Sequence, residues 1–135
     1  MYHFIRLLLA LLCCCGSAYG AMDEFVSSTF AANTIDSAAV RFSQSSISRN
    51  FSAGGTIDDL AAGLRNGSVN PTSIPPVRLV ERGGSMSTLD NHRLLSFQQA
   101  EVPIPYRMAT PQEAAAEAWK FTTTNGGTSI RVRGQ

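Results

Sequence analysis

Residues 87–94 read Ser-Thr-Leu-Asp-Asn-His-Arg-Leu, and here the residue types and their spacing come nearest to chemistry. The flanking pattern sets Asp90 at the end of a strand and His92 and Arg93 in the first turn of a helix. Backbone N–H groups in a first turn have no intrahelical partner, and the helix dipole favours negative charge, so a phosphate can sit there. Arg93 can add a two-pronged contact to such an anion, and His92 can exchange a proton near neutral pH. Asn91 can add an amide to the same anion. Asp90 can orient His92, bind a metal such as magnesium, or simply cap the helix. A plainer reading is that Asp90 caps, His92 faces solvent and Arg93 makes a surface ion pair.

Local signals around this segment define the elements that must hold it. The run Val77-Arg78-Leu79-Val80-Glu81 alternates and is β-branched, and Arg82-Gly83-Gly84 is turn chemistry, so Ser85 to Leu89 pairs back as a hairpin. A helix follows from Asn91 to about Ala100, with Leu94, Leu95 and Phe97 for the core and Gln98 and Gln99 on the wet side. Thr56-Ile57-Asp58-Asp59 opens another helix, capped by Thr56 and stopped at Gly67. Val102 to Met108 is extended, and its two prolines call for an edge position or a short strand. Thr110-Pro111-Gln112-Glu113 combines three favoured helix-start residues, predicting a helix to about Phe121 anchored by Trp119. Asn125-Gly126-Gly127 is a turn before a last strand, Ser129 to Arg133, and residues 38–42 suggest a short helix. Apolar spacing in residues 41–47 is helical and opens the folded unit. Phe97, Tyr106 and Trp119 read as core residues rather than as a stacking platform.

The first twenty residues have a different logic. Arg6 gives a positive start, Leu7 to Cys15 is an unbroken apolar run, and Gly16-Ser17-Ala18-Tyr19-Gly20-Ala21 is a small-residue stretch. That order is the pattern of a secretory signal peptide over 1–20, and the run is short for a bilayer span. All three cysteines, Cys13, Cys14 and Cys15, fall inside it. The mature chain is therefore expected to lack disulfides, thiol catalysis and Cys-based zinc sites, and to be secreted or periplasmic with no membrane contact after cleavage. About 115 residues then remain, enough for one domain. Residues 21–40, rich in Ser, Ala, Thr and Asn, read as a flexible leader, and 41–135 as the domain. Setting Arg6 aside leaves ten basic against ten acidic residues, but Lys120, Arg131 and Arg133 follow Glu117 with no further acid. A basic C-terminal edge suits a polyanion, and it also suits an ordinary solvated strand edge.

Taken together, the hairpin, the Asp90-Asn91-His92-Arg93 turn and Phe97-Gln98-Gln99-Ala100 resemble the core of the ParB/sulfiredoxin fold. With Thr110-Pro111-Gln112-Glu113 and the tail from Trp119-Lys120-Phe121 to Arg131-Val132-Arg133, the chain is similar to ParB-like domains at the C-termini of bacterial polymorphic toxins. The resemblance covers about residues 41–134. It implies an α+β fold with a small mixed sheet and packed helices, and a helix start that binds nucleotide phosphate or nucleic acid. Asn91 stands where sulfiredoxins place their catalytic cysteine, so their chemistry is not expected. Nor do the residues after this segment suffice for the helix-turn-helix domain of the chromosome-partitioning proteins.

Three functions fit these residues. In an exported nuclease-like toxin, Asp90, His92 and Arg93 are the catalytic candidates, and Asn91, Arg78, Lys120, Arg131 and Arg133 contact the nucleic acid. An immunity protein is then an expected partner. The alternatives are a nucleotide-dependent phosphotransferase or hydrolase, for which no Walker-type glycine loop is present, and a non-catalytic exported binding module.

Overall fold

The computed structural model describes residues 33–134. The signal-peptide reading at 1–20, the first part of the leader and Gln135 lie outside the described residues. Alternation decides the central strands. β4 (Val77–Arg82) buries Val77 and Leu79 and turns Arg78, Val80 and Arg82 to the opposite face. β5 (Ser85–Thr88) pairs back antiparallel through Gly83 and Gly84, both at positive φ, as the hairpin signal predicts.

Parallel neighbours extend this hairpin on both sides. β2 (Arg41–Phe42) lies beside β5, and β6 (Ile104–Met108) lies beside β4. β1 (Thr34–Ile35) closes the far edge antiparallel to β6, giving the order β1-β6-β4-β5-β2. A separate two-stranded parallel ladder joins β3 (Ser46–Ser48) to β7 (Arg131–Arg133). With helices α1 (Ile57–Asn66), α2 (Asn91–Ala100) and α3 (Pro111–Ala116), the described architecture is α+β around a mixed sheet. None of these helices is long and apolar enough to cross a membrane.

One face of the sheet carries the core. Phe42, Val77, Leu79 and Ile104 meet Leu94, Phe97 and Ala100 of α2 and Leu64 of α1. The caps act as the sequence predicts: Thr56 accepts the Asp59 N–H at 3.1 Å, and Gly67 ends α1 at φ 80°. Thr110 and Glu113 form a reciprocal capping box at the start of α3.

Four expectations change. The folded unit starts before residue 41, because Thr34–Ile35 forms β1 and Val40 is buried in the core. Residues 41–47 are two short strands rather than a helix, and among the described residues the only helical turn before them is the 3-10 turn Ser37–Ala39. Gln98 is not a wet residue: its amide donates to the Ser37 carbonyl at 2.9 Å and ties that turn to α2. β6 lies inside the sheet order despite its proline, because its ladder with β4 begins only at Tyr106, after Pro105.

The C-terminal segment is zipped along residues 42–45. The Phe42 N–H donates to the Gly127 carbonyl, the Thr122 and Thr123 amides to the Ser43 carbonyl, and the Arg131 N–H to the Ser45 carbonyl. Gly127 is what allows the close approach. Its φ is 75°, and a Cβ there would stand 2.2 Å from the Phe42 carbonyl oxygen. Gly127→Ala is expected to cost about 1–3 kcal/mol, read by denaturant unfolding. A variant as stable as wild type would mean that this contact does not hold the segment down.

Candidate functional site

At the C-terminal ends of β2 and β5 the chain leaves the sheet, and α2 begins between them. Asn91 fixes this junction. It is almost fully buried, its Oδ1 accepts the Ser43 N–H at 2.9 Å, and its Nδ2 donates to the Ser43 hydroxyl and to Gln44. Asn91 is therefore a clamp between the loop after β2 and the helix start, and its amide is not free for a phosphate.

Asp90 is also committed. It stands at the N-cap position, but its side chain makes no cap hydrogen bond. Its carboxylate instead accepts the Arg78 backbone N–H at 2.8 Å and two guanidinium N–H groups at 3.2 and 2.8 Å. Burial raises the cost of ionising Asp90, yet the Arg78 hydrogen bonds outweigh it and hold the carboxyl below the usual range. The same hydrogen bond to Asp90 raises the pKa of Arg78 further still. Arg78 reaches Glu117 at 3.0 Å as well, so it cannot serve as a free phosphate contact. The sequence reading of Asp90 as a cap, a catalytic group that orients His92 or a metal ligand, and of Arg78 as a ligand contact, gives way to an ion pair that braces the helix start. The Asp90 oxygens facing Arg78 do not suit a magnesium ion. Among the described residues no group of three or more His, Cys, Asp or Glu side chains is placed to hold a metal.

What stays open is a cleft of about 390 Å³ at the first turn of α2, lined by Phe51, His92, Arg93, Trp119 and Lys120 among others. The N-cap side chain does not bond the first-turn amides of α2, and the residues that carry them, Asn91, His92 and Arg93, line this cleft. Half-buried His92 hydrogen-bonds Ser48 through Nε2 (3.2 Å to the hydroxyl), and its ring lies 5.5 Å from that of Phe51. Burial lowers its pKa first, and the charges of Lys120 and Arg133 add to that, against a hydrogen bond with Ser48. The imidazole is thus neutral at pH 7 and able to accept a proton. Arg93 donates to the Pro75 carbonyl at 3.4 Å and approaches Asp90 at 3.8 Å, which leaves other guanidinium N–H groups for a ligand. Lys120 donates to the Leu89 carbonyl at 2.9 Å and pairs with Glu117 at 3.2 Å, which fixes its place on the wall.

Trp119 overturns its sequence assignment. α3 ends at Ala116, and the chain continues as a 3-10 turn, Ala118–Lys120. Glu117 sits between the two with its carboxylate on Arg78, and the indole beyond it is 67% exposed. Phe97 is in the core as expected, and Tyr106 packs against it. Arg131 and Arg133 are exposed on β7 and do not line the cleft, although the charge of Arg133 is felt at His92.

Sequence reasoning missed Phe51, Ser48 and Gln44. Phe51 alone carried a signal, as an aromatic just ahead of Gly54 and Gly55 in a segment with no strand or helix period. A larger hollow of about 680 Å³ lies by Asp36, Arg41, Gln98 and Glu101, where two carboxylates outnumber the one cation and disfavour an anion. Comparison with protein-family models, curated proteins and solved structures finds no match to this chain.

Proposed function

We propose that the chain is an exported ParB-like effector domain that holds a single strand of nucleic acid in the cleft at the start of α2 and cleaves its phosphodiester backbone. The exposed Trp119 carries this reading. A solvent-facing indole and Phe51, lining the same cleft as Arg93 and Lys120, offer a base a stacking surface. Its phosphate is offered the free guanidinium N–H groups of Arg93 and the one ammonium N–H that Lys120 does not give to Leu89 and Glu117. The α2 amides add to the phosphate site. His92 then accepts the proton of the attacking hydroxyl as the new P–O bond forms and the old one breaks, and the proton returns to the leaving oxygen. Arg93 and Lys120 offset the charge that builds on the phosphate. Export follows from the signal-peptide pattern at 1–20, and a producer of such an effector needs an immunity protein.

A cleft of this volume also suits one free nucleotide, which favours nucleotide hydrolysis as the second reading. The test is incubation of the purified protein with RNA, single-stranded DNA, plasmid and ATP, with and without magnesium, beside His92→Ala and Arg93→Ala. Polynucleotide breakdown lost in both variants supports the proposal. Turnover of ATP alone supports the second reading, and no turnover of any substrate leaves an exported binding module. Trp119→Ala is expected to weaken strand binding by about 1–3 kcal/mol with the fold intact, measured by fluorescence anisotropy. Unchanged affinity would remove the stacking role.

A further inference from the structure

Strand register places six arginine and serine side chains of the sheet on the face turned away from the core. Arg78 and Arg82 share it along β4, Ser85 pairs with Arg82, Ser87 with Val80, and Arg41 with Ser87. Arg107 joins the row through its pairing with Arg78. Asp90, after β5, and the segment after β6 supply carboxylates to one end of this face only. Arg107 pairs with Glu113 at 2.7 Å, and Arg78 pairs with Asp90 and Glu117. At the other end, no described carboxylate lies within ion-pair distance of Arg41 or Arg82.

Those two guanidinium groups are nevertheless held in place. Arg82 stacks on Phe121, 3.9 Å from the ring centroid, and Arg41 donates one N–H to the Gly126 carbonyl at 3.1 Å. Between them is a hollow of about 370 Å³ that Ser85, Ser87 and Thr123 complete with hydroxyls. Two unneutralised guanidinium groups with the Ser85 and Ser87 hydroxyls match the acceptors of a phosphate, while the Thr123 hydroxyl donates to Asn125 Oδ1 and only completes the wall. This hollow is not the cleft at α2. The two flank one stretch of chain, for Trp119 and Lys120 line the cleft while Phe121 and Thr123 line the hollow. Along β5 they are a few residues apart, on the order of 10 Å at the rise of a strand.

We propose that Arg41 and Arg82, with Ser85 and Ser87, form a second phosphate subsite, which takes a neighbouring phosphodiester of the same single strand that enters the His92 cleft. The subsite rests on the reading given under Proposed function. It gives the protein a preference for strands over mononucleotides.

The test uses the full chain carrying His92→Ala, so that bound strands persist, and compares it with the same chain carrying Arg41→Ala and Arg82→Ala. The probes are a fluorescent nucleoside monophosphate and a labelled ten-nucleotide RNA. One phosphate contact is worth about 0.7 in the slope of log affinity against log salt, or about fivefold at 0.1 M salt. Removing both arginines is expected to weaken RNA binding by about that factor and flatten the slope, with the monophosphate unaffected. Lysine at both positions should restore the slope. An unchanged slope, or an equal loss for the monophosphate, overturns the subsite. Thermal unfolding of each variant checks that the fold is retained. Should no RNA or nucleotide bind at all, the functional reading fails, and inorganic phosphate decides the subsite separately. Saturable shifts of the Arg41 and Arg82 side-chain N–H signals in NMR would support it, and their absence would overturn it.

Discussion

Asp90→Ala is expected to lower folding stability by about 3 kcal/mol. The carboxylate is nearly buried, with a side-chain exposure of 9%, and it satisfies both the Arg78 backbone N–H and the Arg78 guanidinium. Removing it leaves an amide without a partner. Arg78 keeps Glu117, which places the loss at the lower end of that for a broken buried pair. For a domain of this size the melting temperature should fall by on the order of 15 °C. Asp90→Asn should recover part of this, because an amide oxygen can still accept the backbone N–H. Acid provides an independent reading. The folded pKa of Asp90 lies below its unfolded value of about 3.9, so its contribution is complete above about pH 4 and is lost as pH falls through the folded value. Glu113, held down to about 2 chiefly by its hydrogen bond from Arg107, loses its contribution in the same acid range. Asp90→Asn should therefore show a shallower decline of stability below pH 4 than wild type. Equal slopes would mean that the Arg78 pair does not set the fold's acid limit.

The second large effect tests the proposed cleavage. His92→Ala should reduce turnover by about 10²–10⁴-fold while the domain stays folded, since the ring is only half-buried and outside the main core. Its pKa is depressed below the ordinary 6.5, so the neutral form persists to lower pH than in free imidazole. The acid limb of kcat/KM should accordingly have its midpoint below pH 6.5. An added charge change tests the cause. Arg133→Gln removes one of the cations that depress the imidazole and should move that midpoint upward. A limb that does not respond, or a His92→Ala enzyme of full activity, would assign the proton transfer elsewhere.

Local chemistry was legible in the sequence wherever it decides structure within a few residues. Thr56, Gly67, Thr110 and the Gly83-Gly84 turn each act through bonds to near neighbours, and the alternation of residues 77–81 separates Val77 and Leu79 from Arg78 without outside help. The site was legible as a place, the strand end and first turn at residues 90–93, but the roles there were not. Arg78 and Asp90 are 12 positions apart, and Arg78 and Glu117 are 39 apart, so only the folded chain shows that they neutralise one another. Trp119 was misplaced for a related reason. Alanine-rich sequence favours a continuing helix, which would set the indole inward. The docking of Glu117 on Arg78 goes with the end of that helix and an indole turned to solvent. Val40 was hidden by its polar neighbours, whose composition resembles a leader even though β1 and the 3-10 turn pack them onto the sheet.

The way the last segment closes over residues 42–45 has a kinetic consequence. Phe42 meets Gly127, Ser43 meets Thr122, and Ser46 pairs with Arg131, contacts between positions about eighty residues apart. Such distant contacts carry the greatest loop-closure entropy and tend to form late. Trp119 and Lys120 ride on that segment, so the wall of the cleft that they build is expected to form after the hairpin and the two long helices. A chain that has not yet closed this segment would carry His92 and Arg93 at a bare helix end, without the enclosed cleft.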